Sequence, residues 1–132
     1  MSAEAGLAAD VRTATAAVRA RMGARTPRIA LVLGSGVGFL AERVSDGVRI
    51  GYADIPGFPL PTVEGHGGEL VIGTLAGQAV IVQSGRFHMY EGHSAAVSRL
   101  AVRVFGELGV TTLLLTNAAG GIRPSFTAVT LM

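Results

Sequence analysis

The chain has 132 residues, of which 49% are hydrophobic and 15% are charged, with a formal net charge of +2. This length suits one compact domain, and the composition is too apolar and too weakly charged for a disordered segment. The longest hydrophobic run, Ile29 to Leu33, is far shorter than the roughly 20 residues that a membrane helix needs. All basic residues are arginine and cysteine is absent, which excludes lysine Schiff-base chemistry, a P-loop lysine and a cysteine nucleophile. The arginines are scattered, so no basic patch predicts binding to nucleic acid.

The predicted elements begin with a helix over residues 1–26, where apolar residues recur at three- and four-residue steps. We interpret this segment as an N-terminal helix and residues 27–132 as part of one domain. A strand over 28–33 is continuously apolar and β-branched, which is typical of a strand buried on both faces. The glycine-rich turn 34–38 then opens a short helix, and a weaker strand covers 48–52.

The second part of the chain continues the alternation of strands and helices. Three prolines make a stiff loop of residues 56–62, and the segments 69–74 and 78–84 predict a hairpin. The clearest amphipathic helix covers 97–108, and a second buried strand is predicted over 110–116. This order predicts an α/β fold with a largely parallel central sheet flanked by helices.

Two predicted strands run into loops of small residues, 34–38 and 117–121. If the strands are parallel neighbours, both loops open at the carboxyl edge of the sheet, where α/β folds bind ligands. Gly34-Ser35-Gly36 would offer free backbone N–H groups and one hydroxyl to an anion. A tight turn that binds no ligand is the alternative. A dinucleotide fingerprint is rejected, because Phe39 occupies its third glycine position.

The densest group of reactive side chains is Gly85-Arg-Phe-His-Met-Tyr-Glu-Gly92. In an extended segment, Arg86, His88 and Tyr90 would alternate and point the same way. A guanidinium, an imidazole and a phenol on one face suit an oxyanion together with a hydroxylated ligand. The alternative is a surface loop whose arginine pairs with a nearby carboxylate.

The three histidines are the remaining candidates. His66 lies in a glycine-flanked loop and could approach the same anion, although a loop histidine is more often simply exposed. His93 is predicted to start the amphipathic helix and to be structural. The sequence argues against a zinc site built from His66, His88 and His93, because it lacks cysteine and a metal-type spacing.

The loops together carry a family resemblance. They occur in a specific order and spacing: Gly34-Ser-Gly-Val-Gly38, Phe58-Pro59 with Thr62-Val63, Gly65-His-Gly-Gly68, Gly85-Arg-Phe-His-Met-Tyr-Glu-Gly92 and Thr116-Asn-Ala-Ala-Gly-Gly121. From about Arg28 to the C-terminus the chain resembles the trimeric, low-molecular-mass purine nucleoside phosphorylases. The related methylthioadenosine phosphorylases look similar but usually differ at Arg86-Phe-His-Met-Tyr90, which makes that assignment less favoured.

The resemblance implies a nucleoside-phosphorylase-like mixed sheet and the reversible phosphorolysis of inosine or guanosine to a free purine and ribose 1-phosphate, in purine salvage. It implies a cytoplasmic homotrimer that uses inorganic phosphate as co-substrate and needs no metal or organic cofactor. It also implies roles for individual residues. Arg86 and His88 would be catalytic; Ser35, His66, Arg86, Phe87, His88 and Ala118 would bind phosphate; and Tyr90, Ala118, Ala119 and Gly120 would contact the nucleoside.

The family continues for well over a hundred residues beyond the Asn117–Gly121 loop, whereas this sequence ends at Met132. Val129-Thr130 also stands where a Gly-Asp pair is usual. We therefore expect a truncated form that holds the phosphate half of the site and lacks the acidic and amide residues that read the purine. Exposed strand edges then predict marginal stability or aggregation. Two other hypotheses stay open: a non-catalytic fragment that binds phosphate or joins full-length subunits, and, less favoured, a nicotinamide-dependent oxidoreductase.

Overall fold

The computed structural model describes residues 3–61 and 68–132. Its helices and strands are, in chain order, α1 (Ala3–Met22), β1 (Ile29–Leu33), β2 (Ser45–Gly51), β3 (Glu69–Leu75), β4 (Gln78–Ser84), α2 (Ala95–Glu107) and β5 (Thr112–Leu115). Short 3₁₀ helices cover Gly38–Arg43, Tyr52–Asp54 and Met89–Glu91. The predicted helices, strands and hairpin are thus confirmed in type and order. The division of the chain at residue 27 stays a prediction.

The strands form one mixed sheet in the order β2-β3-β4-β1-β5. β1 pairs in parallel with both β4 and β5, whereas β2, β3 and β4 pair as antiparallel neighbours. The mixed sheet is confirmed, and its parallel pairings are confined to the half around β1. This arrangement places the carboxyl ends of β1, β4 and β5 side by side at one edge of the sheet.

The core lies on both faces of β1, and the side chains of that strand alternate between two apolar clusters. Ala30 and Val32 pack in the larger cluster, with the residues that α1 and α2 bury against the sheet. Leu31 and Leu33 face the opposite side and pack with residues of β3, β4 and the first 3₁₀ helix. The apolar stripe predicted for the first helix is buried at every position: Leu7, Val11, Ala14, Val18 and Met22. Period-two burial in the strand and period-3.6 burial in the helix therefore build one core.

β5 departs from the prediction. Its run of leucines predicted a buried strand, yet the exposed fractions are 38% at Leu113, 49% at Leu114 and 65% at Leu115. The reason is position: β5 is the edge strand of the described sheet, and its only strand partner there is β1. Further apolar side chains on the C-terminal segment are also exposed, at Ile122 and Val129.

Within residues 3–61 and 68–132, neither α1 nor α2 combines the length and apolar character that crossing a bilayer requires.

Candidate active site

Three loops meet at the carboxyl edge of the parallel half of the sheet. They follow β1, β4 and β5 and contain Gly34–Gly38, Gly85–Gly92 and Asn117–Gly121. The first two loops border a cleft of about 650 Å³, which is within the range of small-molecule sites. Its lining includes residues that the sequence analysis singled out: Ser35, Arg86, Phe87, His88 and Tyr90.

The loop after β1 is fastened to the end of β5 by Thr116. The Gly34 N–H donates to Thr116 Oγ1 at 2.7 Å, and that hydroxyl donates to the Val32 carbonyl at 2.9 Å. The contact is close enough that a Cβ on Gly34 would lie 2.6 Å from the Thr116 carbonyl oxygen. The prediction that Gly34 offers a free N–H group is therefore wrong, because Thr116 already accepts that hydrogen.

Ser35 and Gly36 are exposed residues of the same loop and line the cleft. Gly36 has a φ of +88°, in the left-handed region that favours glycine. The backbone can therefore turn sharply here and present Ser35 at the cleft. Ser35 is the one hydroxyl that this loop contributes, as the sequence indicated.

Arg86 connects the loop after β4 to the end of β5. Its Nη1 donates to the Thr116 carbonyl at 3.0 Å, and its Nε is buried without an acceptor among the described residues. A buried donor without an acceptor is costly, so this guanidinium is suited to receive an anion from the cleft. Within residues 3–61 and 68–132 no carboxylate pairs with Arg86, contrary to the alternative of a simple surface ion pair.

His88 and Tyr90 form one unit beside the arginine. Their rings stack with centroids 4.5 Å apart and planes 19° from parallel. The chain is extended at His88, as predicted, and then turns into the 3₁₀ helix Met89–Glu91. The alternation predicted over three residues therefore stops at His88, and the turn brings Tyr90 back onto the imidazole.

Glu91 fixes the position of His88. One of its carboxylate oxygens accepts from the His88 backbone N–H at 3.0 Å and lies 3.0 Å from His88 Nδ1. These contacts, first the one with the backbone N–H, lower the pKa of Glu91 below its usual value. When the ionised Glu91 accepts from Nδ1–H, the other ring nitrogen, Nε2, is left for a ligand.

Phe87 and Tyr52 form the apolar support of this loop. The Phe87 ring meets the Tyr52 ring edge to face at 5.2 Å and the Phe58 ring at the same separation. The Tyr52 hydroxyl donates to the Gly85 carbonyl, and burial raises the pKa of Tyr52. Because the Phe87 side chain is apolar and packed, any contact with phosphate would come from its backbone. The sequence analysis missed Tyr52, for which an isolated aromatic residue gives no functional signal.

The remaining predicted residues are less closely grouped. Ala118, Ala119 and Gly120 are exposed and do not line the cleft. His66 lies outside the described residues. His93 is not the first residue of α2, whose N-cap is Ser94. It lines the cleft instead, with its ring centroid 6.3 Å from that of Phe87.

Within residues 3–61 and 68–132, no group of three or more histidine, cysteine, aspartate or glutamate side chains has a geometry that could hold a metal ion.

Comparison with known proteins agrees with this geometry. The model of the phosphorylase superfamily matches residues 28–132. Purine nucleoside phosphorylase 1 of Bacillus subtilis (strain 168) is 52% identical over 107 residues, which cover 81% of this chain and 40% of that protein. The chain thus spans about two fifths of the length of such relatives.

Solved structures give the same result. A purine nucleoside phosphorylase in complex with ribose 1-phosphate has a TM-score of 0.82 and 43% sequence identity, covering 90% of this chain and 43% of that chain. The Schistosoma mansoni enzyme in complex with inosine has a TM-score of 0.81 and 41% identity, covering 90% of this chain and 41% of that chain. The resemblance predicted from the loop motifs is confirmed, and the chain belongs to the phosphorylase superfamily.

Proposed function

We propose that this chain carries the phosphate-binding half of a purine nucleoside phosphorylase site, for the reversible phosphorolysis of inosine or guanosine. The observation that carries the proposal is Arg86, whose Nη1 is held by the Thr116 carbonyl while its buried Nε has no acceptor among the described residues. The relatives and solved structures that the chain matches at 40% identity or more include phosphorylases bound to ribose 1-phosphate and to inosine, which agrees with this substrate class.

Phosphate is the ligand that fits this half of the cleft. Arg86 supplies a fixed positive charge, Ser35 a hydroxyl donor, and His88 an imidazole that either donates or accepts. All of them line the same cleft. His66 would add a second imidazole, as the resemblance implies. Inorganic phosphate is thus the proposed co-substrate, with no metal or organic cofactor.

The sugar would lie against Tyr90. The phenol stacks on His88, next to the proposed phosphate, so it can contact a ribose whose C1′ faces the phosphate oxygen. In the reaction that oxygen attacks C1′, the bond from C1′ to the purine nitrogen breaks, and the purine leaves with the electron pair and takes up a proton. The ribose becomes oxocarbenium-like on the way. Bound phosphate stabilises that positive charge and is already aligned for attack.

The described residues provide less of the purine-binding half of the site than of the phosphate-binding half. Ala118 to Gly120, which the resemblance places beside the base, are exposed, so the described residues offer the purine no enclosed pocket. This observation favours a second candidate function, a fragment that binds phosphate without turnover. Base recognition would then come from acidic and amide residues in the part of the relatives that this chain does not match. A homotrimer and a cytoplasmic location stay predictions from the resemblance.

The test is the release of hypoxanthine from inosine by the purified chain, with and without phosphate, alongside titration with inorganic phosphate followed by ³¹P NMR. Turnover that requires phosphate would support the full reaction. Saturable phosphate binding without turnover would support the fragment. Absence of both would contradict the proposal.

Arg86→Ala is expected to weaken phosphate binding by about a hundredfold, since a partly buried hydrogen bond to a charged group contributes about 1.5–3 kcal/mol. The matched control is Arg99→Ala. Arg99 is exposed on α2 and donates to the Ala95 carbonyl of its own helix. Equal phosphate affinity in the two variants would remove Arg86 from the site.

A further inference from the structure

Thr116 joins two of the groups that the proposed phosphate site needs. Its hydroxyl accepts the Gly34 N–H at 2.7 Å and donates to the Val32 carbonyl at 2.9 Å. Its own carbonyl accepts from Arg86 Nη1 at 3.0 Å. One residue at the end of β5 therefore contacts both the loop that carries Ser35 and the guanidinium of the neighbouring loop.

We propose that Thr116 is a positioning residue, whose hydroxyl holds the Gly34–Gly36 loop in register with Arg86 for binding phosphate. This inference rests on the proposed function. Thr116 does not line the cleft, so it acts through the loop and the arginine rather than by touching the anion.

The chemistry of the residue fits this role. The hydroxyl donates its hydrogen to the Val32 carbonyl and accepts the Gly34 N–H through a lone pair. It therefore bridges two backbone groups at the end of β1. Valine has nearly the same shape and can do neither. Serine keeps the hydroxyl and loses only the methyl group, so the two variants separate hydrogen bonding from packing.

Apolar packing supports the loop after β1 at Val37 but not at Ser35 and Gly36. Thr116 follows the exposed edge strand β5, and Ser35 and Gly36 are themselves exposed. Neither has an apolar side chain to bury, so their position depends on the hydrogen bond at Gly34. The short distance from Gly34 to Thr116 requires that the glycine has no side chain, which is a further sign that this junction is closely fitted.

The experiment compares Thr116→Val, Thr116→Ser and Thr112→Val in the full chain. Thr112 is exposed at the beginning of β5, at the opposite end of the strand from Thr116, so its valine variant makes the same chemical change without touching the site. The readouts are the Kd for inorganic phosphate from ³¹P NMR, the hydrogen-exchange rate of the Gly34 amide and the melting temperature.

We expect Thr116→Val to weaken phosphate binding by about tenfold and to speed exchange at the Gly34 amide. Thr116→Ser should restore both, and Thr112→Val should change neither. A purely structural role would lower the melting temperature of Thr116→Val and leave the phosphate Kd of its folded fraction unchanged, which would overturn the inference. If the unaltered chain binds no phosphate, the proposed function itself fails, and the positioning role fails with it.

Discussion

β1 and β5 are neighbouring parallel strands with similar sequences and opposite surroundings. Both are short apolar runs, Ile29–Leu33 and Thr112–Leu115, and both pair through backbone hydrogen bonds over matched positions. Yet Ala30 to Leu33 are all buried, whereas the leucines of β5 are 38–65% exposed. The difference arises from the layers around them. β1 has strands on either side and an apolar cluster on each face, while β5 is at the edge of the described sheet.

β1 and β5 show that an apolar run can predict the formation of a strand without predicting whether its side chains are buried. A continuous apolar run predicts a strand in both cases, and each run does pair with a parallel neighbour in the sheet. It predicts burial only where other elements cover the faces, and that depends on residues distant in sequence. The functional consequence is that the site spans both environments: Arg86 comes from the covered part of the molecule and Thr116 from the exposed edge.

The largest expected contrast is in stability. Phe105 on α2 is 1% exposed and packs in the larger core cluster, whereas Leu114 is 49% exposed. Phe105→Ala should lower the free energy of unfolding by about 3–5 kcal/mol, through lost burial and the cavity left behind. Leu114→Ala should cost less than about 1 kcal/mol, since much of its side chain already meets water. Urea unfolding of both variants measures the contrast, and equal losses would mean that β5 is covered in solution.

The next contrast is between two glycines with different surroundings. A Cβ on Gly34 would lie 2.6 Å from the Thr116 carbonyl oxygen, whereas a Cβ on Gly106, in α2, meets nothing within 4 Å. Gly34→Ala should push the two strand ends apart, lower stability by about 1–3 kcal/mol and weaken phosphate binding. Gly106→Ala should raise stability by about 0.5–1 kcal/mol, because alanine favours a helix.

Thermal melts and phosphate titration of both glycine variants distinguish the two cases. A Gly34→Ala variant with normal stability and normal phosphate affinity would show that the junction between β1 and β5 is looser than the structure has it.

The exposed edge should also affect association. An uncovered strand with apolar side chains can pair with another chain, so we expect the chain to self-associate as its concentration rises. Leu115→Lys should shift the association to higher concentrations, since it places a charge on the edge strand. Ile122→Lys is the matched control: Ile122 is 97% exposed but lies outside the strand. Sedimentation velocity over a concentration series measures the effect. A monomeric chain with a cooperative melt would contradict the expectation.

Much of the fold could be predicted from the sequence because its signals are local. The helix over 97–108 follows the 3.6-residue period, and Gly109 has the positive φ expected after a helix end. The hairpin of β3 and β4 was likewise predictable from its turn. Outside that hairpin the sequence could not show which strands pair in which direction, since the parallel neighbours of β1 and the antiparallel neighbour of β3 contain the same kinds of residue. The exposure of β5 has the same origin.

The candidate site was predictable to a similar degree. Arg86, His88 and Tyr90 stood out because reactive side chains cluster in a loop, and they do line one cleft. Thr116 and Tyr52 did not stand out, because their roles depend on partners far along the chain: Gly34 for the first, Gly85 for the second. Such contacts exist only once the sheet has formed, so no local pattern reports them.

The smallest expected effect concerns Glu91, whose carboxylate accepts from the His88 backbone N–H and lies 3.0 Å from His88 Nδ1. The His88 backbone N–H and ring lower the pKa of Glu91 below its ordinary value. A lowered pKa in the folded state means that the carboxylate contributes stability above the unfolded pKa of about 4.3 and loses it as the pH falls through the folded pKa. Glu91→Gln should therefore be less stable than the unaltered chain near neutral pH, with the difference disappearing in acid.

Melting temperatures between neutral pH and about pH 3, around the carboxylate range, measure this difference, and Glu107→Gln is the control. Glu107 is exposed on α2, and its carboxylate pairs with no arginine or histidine in the described part of the chain. A ¹³C NMR titration of the Glu91 carboxyl reports the pKa directly, with the His88→Ala variant expected to raise it. If the difference in melting temperature between the unaltered chain and Glu91→Gln instead grows towards acid, the pKa shift of Glu91 has the opposite sign. The ionised carboxylate would then destabilise the loop. The contact between Glu91 and His88 would then position the imidazole at a cost in stability, which is expected of a group that serves ligand binding rather than of one that stabilises the 3₁₀ helix.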